Sequence, residues 1–338
     1  MSKWKRVVLK VLIALSLTTA SIYIFAPWEY GLYYLKPLSN SIEEELQQAT
    51  EHGLDGMIVY VDTGKKVTQL YASGWHSREQ KQPAYGSALF KIASIAKLYE
   101  ASAVAKLVAA NVLDLDKTLA SYLPYLTSRI ANADQITLRM MVQHRSGIPN
   151  FTDQADFDWA SNSLDGLSLV LDKPADFSPG TDYAYSNTNY LLLQKVMTAA
   201  LGYHYTEFIK NEILLPLGLH DTYFSIHEAP MDEIMSGYYV GSDEDFKHLD
   251  QGYIASAQNV GVFLRALNDG TLFTEQESQI YKSIYEYNHT GWVLGYSSIA
   301  RYHKDIDTVV IQFTNTTGDD SVLLTQIVYA RIMDILGD

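Results

Sequence analysis

The sequence predicts an α+β fold: an antiparallel sheet flanked by helices, with an all-helical lobe inserted in the sheet lobe. Three observations lead there. Strand patterns occur early, at residues 56–61 and 66–74, and return only near Trp292. Between them, from about 100 to 222, helical patterns and loops dominate. The chain closes on an amphipathic helical pattern at 322–336. Strands at both ends with helices between them are best served by one sheet interrupted by a helical insertion. At 338 residues and 47% hydrophobic content, the chain is long enough for a large core and two lobes.

The elements follow in order. Lys3, Lys5, Arg6 and Lys10 precede or flank residues 11–26, a run of 16 without charge; counted from Val7, 20 residues carry only Lys10. That length suits a membrane-spanning helix, which needs about 20 residues, or a signal peptide. Thr18-Thr19-Ala20 is a poor cleavage site, while Trp28, Tyr30, Tyr33 and Tyr34 cluster as an aromatic belt does at the far interface. Residues 1–35 therefore read as a single-pass anchor with the N-terminus inside and the domain at 38–338 outside the cytoplasm. A cleaved signal, leaving a secreted or periplasmic protein, is the alternative.

Ser41 and Glu44 form a capping-box pattern that opens a helix over 42–52. Asp62-Thr63-Gly64 turns the chain between the first two strands. A long helical pattern from Ser94 to Ala110 is closed by Asn111, and Tyr190 to Met197 reads as another helix. The run after His289 turns at His303-Lys304-Asp305 and returns through Phe313, a hairpin pattern. Residues 241–250 form an acidic surface-loop candidate, and no internal repeat is evident. The net charge of −14 argues against nucleic-acid binding. With no cysteine, disulfides, thiol nucleophiles, cysteine metal sites and lipid-modified cysteine are excluded.

Three short motifs carry chemistry. In Ser94-Ile95-Ala96-Lys97 a hydroxyl and an amine stand three residues apart, hence on one face if helical. A serine hydroxyl needs a base to become a nucleophile, and a desolvated lysine can be one. The spacing alone is weak, since Ser2-Lys3-Trp4-Lys5 has it too. Tyr185-Ser186-Asn187 follows the Pro179-Gly180 turn and precedes a helix. It offers a proton shuttle and a substrate-holding amide, or else Asn187 or Thr188 is only a helix cap. His289-Thr290-Gly291 opens the hairpin, with Gly291 where another molecule can approach the strand backbone, or His289 is an ordinary strand-end residue.

Taken in this order, Ser-x-x-Lys, Tyr-x-Asn and His-Thr-Gly resemble the signature of the penicillin-recognising serine hydrolases. The Tyr and His variants resemble the class C β-lactamase branch, with its D-alanyl-D-alanine carboxypeptidase and esterase relatives. The segments 136–149, 215–222 and 253–259 are similar to family segments as well, so the resemblance runs from about Ile42 to the C-terminus.

It implies a β-lactamase/transpeptidase-like fold and an acyl-enzyme on Ser94, with Lys97 and Tyr185 sharing the proton transfers. Asn187, His289, Thr290 and Gly291 would bind substrate, and the backbone N–H groups of Ser94 and Trp292 would form the oxyanion hole. No metal or cofactor is implied. The expected partner is a small-molecule or peptide substrate, cell-wall-derived ones included, besides the membrane at the N-terminus. His289 stands where many relatives have lysine, and Trp292 where they often have a small residue. A neutral imidazole holds a carboxylate less well than an ammonium does, which keeps esters and other amides open beside penicillins and cell-wall peptides. The alternatives are a carboxylesterase on the same scaffold or a non-catalytic binding or regulatory homologue.

Overall fold

The computed structural model describes residues 2–25, 28–161, 165–318 and 320–337; Ala26, the last residue of the predicted apolar run, lies outside them, as do both terminal residues. The chain begins with α1 (Lys3–Phe25), α2 (Trp28–Tyr34) and α3 (Ile42–Glu51), then β1 (Gly56–Asp62), β2 (Gln69–Ser77), β3 (Gln82–Pro83) and β4 (Leu89–Lys91). The middle holds α4 (Ala96–Ala109), α5 (Leu119–Tyr122), α6 (Leu138–Val142), α7 (Asn187–Leu201) and α8 (Tyr205–Ile209). Short strands β5 (Thr222–Tyr223), β6 (Tyr238–Tyr239) and β7 (Ile254–Ser256) follow, then α9 (Ala257–Asp269) and α10 (Glu275–Ile284). The chain ends with β8 (His289–Val293), β9 (Tyr296–His303), β10 (Thr308–Thr314), β11 (Thr316–Thr317) and α11 (Ser321–Gly337).

The fold is α+β, as the sequence predicts. Six strands form one antiparallel sheet in the order β3-β2-β1-β10-β9-β8, so β1 pairs with β10 from the far end of the chain, Val59 opposite Gln312. Side chains alternate across it. Ile58 and Tyr60 of β1 join Val309, Ile311 and Phe313 of β10 in the large core shared with the helices. Met57, Val59 and Val61 face the other way, with Val310, into a second core closed by α3 and α11. Both faces of β1 are covered, which explains its unbroken apolar run.

Several boundaries moved. The helix predicted from Ser94 begins as a 3₁₀ turn, Ala93–Ile95, before α4 takes over. The apolar run at residues 292–296 is two strands, because Gly295 at φ +84° turns the chain between β8 and β9. Neither Asn187 nor Thr188 caps α7; Ser186 is the N-cap residue and its side chain makes no capping bond. Thr188 Oγ1 instead accepts from the Phe151 N–H and donates to the Pro149 carbonyl. In α3 the Ser41 hydroxyl caps the Glu44 N–H at 3.2 Å, but Glu44 reaches back to the N–H of Asn40, one residue before the cap.

The aromatic cluster after α1 divides. Trp28 and Tyr34 are exposed, whereas Tyr33 is buried and Tyr30 packs against the same second core. Tyr30 and Tyr33 are three apart on α2, so they share the face that docks on the domain. The Tyr33 hydroxyl donates to Glu45 Oε1 at 2.6 Å, Ser39 donates to Oε2 at 2.7 Å, and Arg331 Nε donates to Oε1 at 2.7 Å. Arg331 also donates to the carbonyls of Lys36 and Pro37. Burial would raise the Glu45 carboxyl, but the hydrogen bonds from Arg331, Tyr33 and Ser39 outweigh it and hold the group below its ordinary range.

Removing one partner from such a buried pair leaves an uncompensated charge, at a cost of about 3–5 kcal/mol. Arg331→Ala should therefore lose stability of that order in urea denaturation at neutral pH. Because Glu45 is depressed in the folded state, the wild-type advantage should shrink as pH falls through its folded pKa. A chain lacking residues 2–27 keeps Tyr33 and should melt above one lacking 2–35.

Candidate functional site

Ser94 lies where the sheet meets the helices. The chain leaves β4 with the Ile92 N–H on the Tyr253 carbonyl (3.0 Å) and passes through Ala93 in the left-handed region, φ +49°. That conformation is strained for a residue with a Cβ, and such strain clusters at functional sites. It sets Ser94 just ahead of α4. Gly291 of β8 packs on this turn: a Cβ there would stand 2.4 Å from the Ile92 carbonyl oxygen and 3.0 Å from the Ala93 Cβ. The absent side chain is what lets the third motif touch the first.

Around the Ser94 hydroxyl the predicted residues converge. Lys97 Nζ lies 3.2 Å from Ser94 Oγ, and the Tyr185 hydroxyl lies 2.9 Å from the same atom. Lys97 is 8% exposed, and its amine also donates to Asn187 Oδ1 at 2.9 Å. The faces of Tyr185 and Tyr190 lie 5.2 and 5.4 Å from Nζ, within cation–π range. Asn187 is fixed in turn, its Nδ2 donating to Thr152 Oγ1 and its N–H to Asn150 Oδ1. Ser2 and Lys5, which share the first motif's spacing, lie at the exposed start of the chain.

The third motif is arranged differently from its simplest reading. The Tyr285 hydroxyl donates to His289 Nε2 at 3.0 Å, and Nδ1–H donates to the Thr290 carbonyl at 2.5 Å. Burial, aided by nearby Lys97 and opposed by the bond to Thr290, brings this imidazole down to about 4, so it is neutral at physiological pH. Both ring nitrogens are engaged within the protein. Thr290 and Trp292 share the other face of β8, and β8 is an edge strand. Trp292 meets Trp159 edge to face (5.0 Å, 87°), and Trp159 meets Phe157 likewise (5.0 Å, 89°).

Other residues of the site went unmarked in the sequence. His144 stacks on Tyr185 at 4.3 Å and accepts the Ser186 N–H on Nδ1. Burial first, then Lys97 and His289 beside it, hold its imidazole down to about 3, so it is a neutral plate under the Tyr185 ring. Its φ of +55° belongs to the turn of Gln143-His144-Arg145-Ser146-Gly147, a segment whose family likeness was the available signal. Asn150, 37 residues before Asn187, and Tyr285, at the end of α10 only four residues before His289, had none, because neither residue type nor spacing marks them as partners of those motifs.

Chemically, this is a hydroxyl held between an amine and a phenol, beside an edge strand and a half-buried aromatic wall. The Beta-lactamase family pattern matches residues 40–283. The chain is 25% identical over 178 residues to penicillin-binding protein 4* of Bacillus subtilis, covering 51% of this chain and 38% of that protein. It is 27% identical over 203 residues to a β-lactamase of Pseudomonas fluorescens, covering 60% and 54%. The chain thus spans about half the length of these relatives. Among solved structures, D-amino acid amidase from Ochrobactrum anthropi SV3, complexed with D-phenylalanine, superposes with a TM-score of 0.79 at 20% identity over 88% of this chain and 98% of that one. A penicillin-binding protein from Bacillus halodurans gives 0.74 at 20% identity over 87% and 100%. With the family pattern covering most of its length and the same fold in these neighbours, the chain belongs to the Beta-lactamase family of serine hydrolases.

Proposed function

We propose that the protein hydrolyses an amide, β-lactam or peptide bond through an acyl-enzyme on Ser94. The observation that carries this is the three-way contact of Ser94 Oγ with Lys97 Nζ and the Tyr185 hydroxyl, which the fold assembles from positions 91 residues apart. In acylation Ser94 Oγ bonds to the substrate carbonyl carbon, its proton passes into the Lys97–Tyr185 pair, and the leaving amine or alkoxide departs with a proton from that pair. In deacylation a water gives its proton to the pair, its oxygen bonds to the acyl carbon, and Ser94 recovers its hydrogen. The Ser94 and Trp292 N–H groups would hold the carbonyl oxygen as it becomes an oxyanion, a donor type whose loss costs about 10²–10³ in rate. Asn187 would hold the substrate amide, and Thr290 and Gly291 the chain lying along β8.

The names of the amidase and penicillin-binding neighbours favour amide substrates. A second reading, a carboxylesterase, is favoured by two features. His289 is neutral and engaged, so it offers no cation to a substrate carboxylate, and Trp159 with Trp292 makes the adjoining wall aromatic. Placement belongs to the same proposal. α1 has 23 residues, its most apolar stretch of 18 has a mean hydropathy of 2.0, and none of its residues is buried. At ~1.5 Å per residue it is roughly 35 Å long, enough for a ~30 Å hydrocarbon core. It would anchor the chain with the hydrolase domain, including α2, outside the cytoplasm.

A fluorophosphonate should label Ser94, located by mass spectrometry, and Ser94→Ala should abolish both labelling and turnover. On a panel of a chromogenic cephalosporin, a D-alanyl-D-alanine peptide, amino acid amides and p-nitrophenyl esters, substrates without a carboxylate near the scissile bond should give the higher kcat/KM. A label elsewhere, or turnover by Ser94→Ala, would refute the assignment.

Lys97→Ala and Tyr185→Phe should each lower kcat by about 10²–10⁴, the range for general acid–base groups, without a matching loss in Tm. Near-normal turnover in either variant removes that residue from the proton path.

Cells expressing the full chain should hold it in the membrane fraction through carbonate and high-salt washes, with the domain open to external protease. Recovery from the cytosol would contradict the topology; recovery of a soluble extracytoplasmic form starting near Ser21 would identify α1 as a cleaved signal.

A further inference from the structure

One turn beyond Lys97, α4 carries a carboxyl for which the acyl-transfer scheme has no use. Glu100 is 2% exposed, between α4, α7, α8 and the segment leading into β7. Gln194 Nε2 of α7 donates to its Oε1 at 2.9 Å, with the Tyr253 hydroxyl beside the carboxyl as a second donor. The phenols of Tyr205 on α8, Tyr253 before β7 and Tyr190 on α7 all feel its charge. The cation facing it is Lys97, three residues back on the same helix and thus on the same side. Lys97 also faces the neutral imidazoles of His144 and His289. Lys106, further along α4, pairs with Glu277 of α10 instead.

A carboxyl buried this deeply costs several kcal/mol when ionised unless a charge or several donors offset it. Packing does not require it, since a glutamine of the same shape would accept the same bond from Gln194. What an amide cannot supply is negative charge beneath Lys97.

We propose that Glu100 is a positioning residue, a buried counter-charge that holds Lys97 as an ammonium in the resting enzyme and so leaves Tyr185 to act as the base. The ammonium donates to Ser94 Oγ and Asn187 Oδ1 and sits on the Tyr185 and Tyr190 faces, a cation in the position to stabilise a Tyr185 phenolate. This rests on the Ser94 hydrolase reading and goes beyond it by dividing the roles of Lys97 and Tyr185. Burial raises the Glu100 carboxyl to about 7, with Lys97 and the hydrogen bonds from Gln194 and Tyr253 offsetting only part of the shift. The carboxyl is therefore neutral on the acid side of that value and charged on the alkaline side, and activity should rise as pH climbs through it.

The test is the pH profile of kcat/KM for the full-length protein in detergent, as wild type, Glu100→Gln and Glu100→Asp. Glu100→Gln should lose roughly tenfold to hundredfold in kcat/KM at pH 8 and should lose the rise through pH 7. Glu100→Asp, which keeps the charge, should keep the rise and recover much of the rate. A raised folded-state pKa means that ionising the carboxyl subtracts stability as pH climbs from the ordinary carboxylate range to about 7. At pH 8 the Tm of Glu100→Gln should thus equal or exceed that of wild type, whereas a structural role predicts a loss. The proposal is overturned if Glu100→Gln keeps the wild-type profile, if it becomes faster (which would make neutral Lys97 the base), or if its activity loss tracks a fall in Tm. Fluorophosphonate labelling separates the levels. A labelled Ser94 with an unaltered Glu100→Gln profile removes Glu100 alone, and an unlabelled Ser94 removes the hydrolase reading beneath it.

Discussion

Burying the amine of Lys97 is the demand around which the site is organised. An amine almost out of contact with water must spend its donors on protein atoms, and here they go to Ser94 Oγ and Asn187 Oδ1. Those partners come from different parts of the chain: the turn after β4 and the first residue of α7. Two tyrosine faces complete the shell, one from the loop before α7 and one from α7 itself. The requirement to satisfy one nitrogen therefore ties α7 to α4 and fixes where the Tyr185 hydroxyl can be.

The second constraint is backbone geometry at Ser94. Ala93 holds a left-handed conformation that local sequence does not favour, and it persists because its surroundings leave no room for another. The Ile92 N–H is held by Tyr253, the Ile92 carbonyl receives the Ser298 hydroxyl, and Gly291 closes against the same turn. His144 plays a comparable part for the phenol, stacking beneath Tyr185 while its Nδ1 takes the next N–H along. Ser94 and Tyr185 are thus each fixed by neighbours, so little ordering is left to do when their hydroxyls meet.

At the other end of the molecule, Glu45 and Arg331 join the first helix of the domain to the last, and through Tyr33 and the carbonyls of Lys36 and Pro37 they take in the segment that follows α1. The stretch after the apolar helix is consequently part of the second core, with no free tether at α2.

Much of the site was legible in the sequence because its chemistry is local: Ser94 with Lys97, Tyr185 with Asn187, and His289-Thr290-Gly291 are short motifs whose spacing and order carry information. The α+β class was legible for a similar reason, since short apolar strand runs near both ends and helical patterns between them reflect which side chains each element must bury. The apolar character of α1 was set by composition alone. Tertiary structure decided the rest. It made Tyr33 a core residue instead of an interfacial one, engaged both nitrogens of His289, placed His144 under Tyr185, and enclosed Glu100 one turn from Lys97. Each outcome depends on which atoms from distant segments come within 3 to 6 Å, and on how far burial shifts a proton. Neither is encoded by residue type or spacing, because contact and dielectric exist only once the chain has closed on itself.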